Sequence, residues 1–195
     1  MKNKKPFVVA CAVLALDMKY AAKKLGIDIG FKFLEGGLHD RPNMLREKLQ
    51  AAIDEISASG RCNRIIAGYG GCGRGTIGIK TRDIPLALPK VHDCIALFLG
   101  GDAVYRREFK KYPGTYYISA GWYEEKTEPH SQRKRSAYYG DEKLNYDELV
   151  EKFGKEAAEE TFKFLSTWQK NYQRAAFIET GAKQSPKYEK YARKM

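Results

Sequence analysis

Short apolar runs alternate along the chain with longer stretches in which apolar residues recur every three or four positions. The short runs predict five β-strands, at residues 6–10, 29–34, 64–67, 84–88 and 115–119. Strands that alternate with helices of ten or more residues are typical of right-handed βαβ units. The pattern therefore predicts an α/β fold with an open, mostly parallel sheet of about five strands.

The intervals between these strands have helical spacing. Residues 12–25, 41–59 and 94–111 each predict an amphipathic helix. The second is the best defined, because Pro42 suits the first turn of a helix. Its apolar face is formed by Leu45, Leu49, Ile53 and Ile56. We expect such helices on both faces of the sheet.

The alternation stops after the fifth predicted strand. Residues 123–143 are polar and include a basic triplet at 133–135, which predicts a basic surface excursion. Residues 145–178 return to helical spacing and predict a long C-terminal helical segment, and residues 182–195 predict a basic, mobile tail. We expect residues 1–195 to form a single α/β domain, since this length is typical of one domain.

The composition is that of an ordinary globular protein. Hydrophobic residues make up 43% and charged residues 30% of the chain, which excludes a disordered chain. The formal net charge of +11 allows an anionic partner. Because the chain shows no RNA-binding signature, we do not expect nucleic acid as the partner. Four cysteines are too few for a disulfide scaffold, so reduced thiols are expected.

The N-terminus has the outline of a secretory signal, because lysines precede an apolar run. Only the short apolar run at residues 7–10 precedes Cys11, however, and this is too short for a signal peptide. We therefore interpret the run as a buried strand followed by a helix. No apolar run reaches the roughly 18 to 20 residues that a membrane span needs, so we expect a cytoplasmic protein.

Cysteine and histidine residues follow four consecutive predicted strands. Cys11 follows the first strand, His39 the second, Cys72 the third, and His92 and Cys94 the fourth. In open parallel sheets, ligands bind in the crevice beyond the carboxyl ends of the strands. These five residues are therefore the candidate metal ligands.

The remaining cysteine and histidine, Cys62 and His130, lie outside this set, and we expect them to be surface or incidental residues. Structural roles remain open within the set as well. Cys11 suits a small buried residue, and His39 suits a turn before the next helix. Asp93 is placed to cap a helix that begins at Cys94, which predicts a lowered pKa for that thiol.

Thiolates and imidazoles are the ligands that Zn²⁺ prefers in tetrahedral sites. Cysteines also hold iron–sulfur clusters, and Cys11, Cys72 and Cys94 would supply three thiolates and leave one iron open. The spacing is not that of a paired Cys-x-x-Cys zinc motif. The sequence therefore leaves zinc and an iron–sulfur cluster open as cofactors.

The third of these strand ends carries the glycine loop, residues 68–75 (GYGGCGRG). Exposed backbone N–H groups in such a loop allow a ligand to approach closely. The loop matches neither the P-loop nor the dinucleotide-binding pattern. Tyr117 and Trp122 follow the fifth strand and are expected to line the same crevice. The cofactor contacts expected in the loop are Gly71, Gly73, Arg74 and Gly75.

Several segments together resemble a known family: residues 38–42 (LHDRP), the glycine loop, 89–97 (PKVHDCIAL), 113–117 (PGTYY) and 121–122 (GW). They are similar to the family named domain of unknown function 1638, over roughly residues 7–178. Its members are typical of anaerobic bacteria and methanogens, often beside corrinoid-dependent methyltransferases. By association, the resemblance implies a role in one-carbon or corrinoid metabolism.

The chain also departs from that family's pattern. Asp17 stands where the pattern leads us to expect Glu, and the insert at 124–140 is longer than expected. The pattern further leads us to expect a segment beyond Met195.

The leading hypothesis is a metal-dependent enzyme that transfers a methyl or one-carbon group of a small-molecule substrate. Cys72, His92 and Cys94 would carry the chemistry, with Cys11 or His39 as a further ligand. A corrinoid protein or a methyltransferase is the expected partner. The alternatives are an accessory protein that holds a metal or cofactor without turnover, and a basic RNA-binding module. The sequence does not define the oligomeric state.

Overall fold

The protein is described from a computed structural model. The structure describes residues 4–127, 136–139, 142–166 and 171–194. Within these ranges, the secondary structure alone is described at 126–127, 136–139, 142–145 and 164–166.

A parallel four-stranded sheet forms the centre of the fold. Its strands are β1 (Lys5–Cys11), β2 (Gly30–Leu34), β3 (Cys62–Gly68) and β4 (Leu86–Ala87), in the order β2-β1-β3-β4. This confirms the α/β class and the parallel sheet. The chain moves from β1 to one side and then returns to the other side, so the strand order reverses between β1 and β3. In doubly wound sheets, this switch point is where ligands bind.

Two helices pack on opposite faces of this sheet. The apolar side of α2 (Pro42–Ala58) is buried in the same cluster as Val9. The helix α1 (Ala15–Leu25) lies near Gly68, where an added Cβ would come within 2.5 Å of Ala10 Cβ and of Met18 Cε. Successive residues of a strand point to opposite faces, so Val9 and Ala10 define the two sides. Gly68 thus allows α1 to approach the sheet closely.

The predicted third helix is divided in two. The structure has α3 (Cys94–Phe98) and α4 (Asp102–Lys111). Gly100 and Gly101 separate them and have φ angles of 88° and 137°. Positive φ is accessible to glycine at little cost, so this pair ends one helix and begins the next.

The fifth predicted strand exists, but its placement in the main sheet was wrong. This strand, β5 (Thr115–Ser119), pairs in parallel with β8 (Arg174–Ile178) in a separate two-stranded sheet. The helical prediction for 145–178 is therefore correct for α6 (Tyr146–Phe153) and α7 (Lys155–Ser166) but wrong at β8. The physical reason is that β8 supplies the backbone partners that β5 needs, while β4 pairs with β3 through two residues only.

The segment predicted as a surface excursion begins within α5 (Ala120–Thr127) and contains an antiparallel hairpin. The hairpin strands are β6 (Ser136–Tyr139) and β7 (Glu142–Asn145). The basic triplet at 133–135 lies outside the described residues.

The basic tail contains a helix, α8 (Pro186–Lys194). Tyr188 of α8 is fully buried, and its hydroxyl donates a hydrogen bond to Glu124 Oε1 at 2.6 Å. Lys183 and Lys187 each place Nζ 2.9 Å from the same oxygen. The tail is thereby held against α5. Among the described helices, none combines the length and the apolar character needed to cross a membrane.

Candidate functional site

The two central strands end side by side at the candidate site. Cys11 is the last residue of β1, and Tyr69 directly follows β3. Ala10 pairs with Gly68 in the register of the two strands, so Cys11 and Tyr69 are the next positions at the same edge. Both side chains belong to the main apolar cluster, which also includes Cys72. The expected meeting of the first and third strand ends is confirmed.

The fourth strand end is joined to this edge by backbone contacts. Gly71 N–H donates to Val91 O at 2.9 Å, and Cys72 N–H donates to His92 O at 3.1 Å. At Gly70, an added Cβ would lie 2.7 Å from the Cα and N atoms of Asp93. The glycine loop therefore lies directly against the segment that leads into Cys94.

Asp93 fixes the start of α3 and with it the position of Cys94. The Asp93 carboxylate accepts hydrogen bonds from the backbone N–H groups of Ile95 at 2.9 Å and Ala96 at 3.2 Å. This is the helix-capping role expected from the sequence. Cys94 is consequently the first residue of α3 and packs against the main cluster.

Cys11, Cys72 and Cys94, here called the thiol centre, are close enough to affect one another's ionisation. Burial, together with the other two cysteines, raises the pKa of Cys94 to about 12. Burial is also the main reason that the pKa of Cys11 rises to about 11, with Cys72 adding to the rise and the Val13 backbone opposing it. Burial likewise raises the pKa of Cys72.

The lowered pKa expected for Cys94 was therefore wrong. The helix that begins there has only five residues, and burial beside two other thiols outweighs its N-terminal field. With their pKa values raised in this way, the three thiols are protonated at neutral pH.

Tyr69 is a component of this region that the sequence analysis missed. Its side chain is 3% exposed, and its hydroxyl has no hydrogen-bond partner within the described parts of the chain. Burial raises the pKa of Tyr69, and Cys11, Cys72, Glu35 and Cys94 raise it further. The sequence did offer one indication of its importance, because Tyr69 directly follows β3 at the edge where Cys11 ends β1. The sequence pattern does not show, however, which hydroxyl lacks a hydrogen-bond partner.

Three carboxylates add negative charge near the thiols. Glu35 and Glu125 raise the pKa of Cys11 beyond the effect of burial. Asp93 has the same effect on Cys72 and Cys94. Glu125 Oε1 accepts a hydrogen bond from Gly36 N–H at 2.8 Å. The electrostatic environment of the thiol centre thus favours a cation.

The glycine loop has a strained backbone at Cys72. Cys72 and Arg74 have φ angles of 41° and 73°, and among the described residues they are the non-glycine positions with positive φ. Gly73, between them, has a φ of 61°. Such conformations cost about 1 to 3 kcal/mol each for a residue with a side chain and cluster at functional sites. The backbone bonds to residues 91–92 help to hold this geometry.

The two candidate histidines lie close to the loop through their backbones, while their rings pair with neighbouring carboxylates. His39 Nε2 lies 3.1 Å from Asp40 Oδ1, and its side chain is 58% exposed. His92 Nδ1 lies 3.0 Å from Asp93 Oδ2, and its side chain is 74% exposed. The His92 ring also stacks on Tyr105 at a centroid distance of 6.3 Å.

No group of three or more His, Cys, Asp or Glu side chains is arranged to hold a metal ion in the part of the chain that the structure describes. The metal-ligand roles of Cys11, His39, Cys72, His92 and Cys94 therefore stay predictions.

The expected cofactor contacts occupy varied surroundings. In the glycine loop, Arg74 and Gly73 are exposed and Gly75 is buried. The Tyr117 hydroxyl is buried and has no hydrogen-bond partner among the described residues. Trp122 packs against the main apolar cluster and makes an edge contact with Tyr116 at 5.6 Å. Their binding roles stay predictions.

Cys62 is distant in the sheet from the thiol centre. It begins β3, at the end opposite Gly68, and is 2% exposed rather than on the surface. Its thiol donates to Arg64 O at 2.9 Å. Cys62 is thus a buried structural cysteine, and His130 lies outside the described residues.

Comparison with known proteins gives one match. A family model described as "Protein of unknown function (DUF1638)" matches residues 33–195, which include Cys72 and Cys94 but not Cys11. No curated protein and no solved structure matches the chain.

Proposed function

We propose that this chain, which belongs to the DUF1638 family, is a metal-dependent enzyme whose centre is held by Cys11, Cys72 and Cys94. The observation that supports this is the position of the three thiols. They follow three separate strands and share one buried region at the switch point of the sheet. No preformed group of three metal ligands exists among the described residues, so metal binding would have to draw the three thiols together. The fourth cysteine, Cys62, lies at the other end of β3.

A cation explains why three thiols are buried together beside carboxylates. Each thiol must lose its proton to act as a ligand, and burial alone opposes that loss. A thiophilic metal would replace the thiol protons, and the carboxylates of Glu35, Glu125 and Asp93 would attract it to this region. Zn²⁺ with three thiolates, or an iron–sulfur cluster with one open iron, leaves a position for substrate.

The proposed reaction is methyl or one-carbon transfer, which is the chemistry that the family resemblance implies. A bound metal would keep a thiol in its nucleophilic thiolate form at neutral pH. The sulfur of a thiolate held in this way would form a C–S bond to the methyl carbon, and the bond from that carbon to its donor would break. The donor keeps the electron pair of the broken bond. A corrinoid protein or a methyltransferase is the proposed partner.

One observation favours a second function, that of an accessory protein without turnover. His39 and His92 are exposed and pair with their own neighbouring carboxylates. The thiol centre therefore has no imidazole, among the described residues, that is held ready as an acid or base. A protein that only stores or delivers a metal or cofactor needs no such group.

The test is elemental analysis with an absorption spectrum on protein purified without oxygen. The wild type is compared with Cys72→Ala and Cys94→Ala, and Cys62→Ala is the matched control because it is also a buried cysteine. We expect about one zinc per chain, or iron with sulfide and broad visible absorption. The metal should be lost in the first two variants and kept in the control.

Metal-free wild-type protein after reconstitution, or equal metal in all four proteins, would contradict the proposed centre. Transfer of a labelled methyl group from methylcobalamin to a small thiol then separates the two functions. Transfer that depends on Cys94 supports the enzyme. Metal binding without transfer supports the accessory role.

A further inference from the structure

The hydroxyl of Tyr69 is a buried polar group that the proposed centre does not use. The Tyr69 side chain is only 3% exposed, and none of the described residues accepts a hydrogen bond from its hydroxyl. Buried hydroxyls in folded proteins almost always have a partner, because an unpaired one is costly. A phenol O–H donates strongly, so its partner is an accepting atom from outside the described residues, either of a water molecule or of a bound ligand.

The location of Tyr69 indicates where that molecule lies. Tyr69 directly follows Gly68, which pairs with Ala10, so Tyr69 and Cys11 are the next positions of the two strands. It shares the apolar cluster with Cys11 and Cys72, and Cys94 packs against the same cluster. A molecule that reaches the Tyr69 hydroxyl therefore lies within the same buried region as the thiol centre.

The charge around the centre limits the kind of molecule. Glu35, Glu125 and Asp93 all act on the thiols as negative neighbours. Lys48 forms an ion pair with Glu35 and offsets one of these charges. The negative charge near the thiols disfavours binding of an anionic ligand in this region but does not disfavour a neutral ligand.

We propose that Tyr69 donates a hydrogen bond to the oxygen of a small neutral substrate, such as an amide, a carbonyl compound or an ether, bound beside the thiol centre. The assignment of this oxygen as part of a substrate rests on the proposed function. The binding contact itself does not, because it depends only on Tyr69 and the buried region around it.

The experiment is a ligand-observed NMR titration with formamide and formate, which have nearly the same shape and differ in charge. The full chain is titrated before and after metal loading, as wild type, Tyr69→Phe and Tyr188→Phe. Phenylalanine at 69 keeps the packing of the ring and removes the hydroxyl alone. Tyr188→Phe is the matched control, because that buried hydroxyl already donates to Glu124. Metal content and thermal midpoint are measured on the same samples.

We expect wild-type protein to bind formamide more tightly than formate. Tyr69→Phe should weaken formamide binding about tenfold, as expected for the loss of one hydrogen bond, and should not lower the thermal midpoint. Tyr188→Phe should show the opposite pattern, with a lower thermal midpoint and unchanged formamide affinity.

Equal formamide affinity in wild type and Tyr69→Phe would overturn the proposal, and so would tighter binding of formate or no binding of formamide by the wild type. Formamide binding that depends on Tyr69 in a protein that takes up no metal would support the Tyr69 contact while contradicting the proposed metal centre. The two proposals can therefore fail separately.

Discussion

Gly70 shows at the scale of one residue how the candidate site depends on close backbone contact. We expect Gly70→Ala to lower the free energy of unfolding by about 1 to 3 kcal/mol, the usual range for overpacking. The added Cβ would lie 2.7 Å from the Cα and N atoms of Asp93, and backbone atoms cannot rotate away. For the proposed metal centre, the variant should also lose metal, because the glycine loop must move away from the segment before Cys94. Urea unfolding and elemental analysis measure the two effects.

Gly60→Ala is the control for this substitution. Gly60 has a φ of 65° and no atom within 4 Å of an added Cβ, so its replacement strains the backbone without a collision. It should cost roughly 1 kcal/mol and leave the metal in place. Full metal content in Gly70→Ala would show that the close contact with Asp93 does not support the thiol centre.

The residues of the site differ in how far the sequence reveals them. Cys11 and Cys72 could be placed because each follows a short apolar run that the alternating pattern interprets as a buried strand. Tyr69 could not be singled out, because a tyrosine within a glycine loop gives no sign of whether its hydroxyl finds a partner. The pKa of Cys94 was misjudged for a related reason. The sequence shows the helix start but not the burial that outweighs it.

At the scale of elements, the carboxylate of Glu124 on α5 holds helix α8 and the residues just before it. Hydrogen bonds from Tyr188, Lys187 and Lys183 lower the pKa of Glu124 to about 2 from an ordinary value of 4.5. A carboxyl whose pKa is lowered in the folded state stabilises the fold above its unfolded pKa, and this contribution is lost as the pH falls. We expect the difference in stability between wild type and Glu124→Gln to shrink as the pH falls from 4.5 to about 2. Urea unfolding of both proteins across this range measures it.

Glu189→Gln is the matched control on α8. Glu189 forms an exposed i,i+4 ion pair with Arg193, and such pairs contribute little. Its stability should follow that of the wild type at each pH. A Glu124→Gln protein that also follows the wild type would contradict the anchoring role.

The pairing of β5 with β8 shows why element partners were harder to predict than elements. The run at Thr115–Ser119 predicts a strand by itself, but the residues around it do not indicate which other strand it pairs with. Ala175 and Ala176 suit a helix as well as a strand, so the spacing of 145–178 favoured one long helix or two joined helices through to residue 178. The pairing is made across more than 50 residues, as in Thr115 with Arg174. Tertiary contacts therefore override the local pattern.

The molecule as a whole combines a main sheet with a smaller sheet completed by the C-terminal residues. Removing residues 174–195 deletes β8 and α8, and β5 then loses all five of its paired positions. We expect the shortened chain to unfold at lower temperature and to bind a hydrophobic dye, because unpaired β5 and its aromatic side chains become exposed. Circular dichroism melting and dye fluorescence measure the change.

A second chain that ends after residue 185 lacks α8 alone and separates the two contributions. It keeps β8 and should fall between the full chain and the shorter one. Identical melting of all three chains would show that the smaller sheet adds nothing to the stability of the fold.

The central position of β1 has a consequence for the newly synthesised chain. β1 pairs with β3, so Cys11 cannot be enclosed until Gly68 has been made 57 positions later. At about 5 to 20 residues per second, this delay is roughly 3 to 11 s on the ribosome. During that time the edge of β1 that later pairs with β3 is open, and the Cys11 thiol is available to oxidants and to chaperones. A modification of this thiol at that stage would precede completion of the sheet.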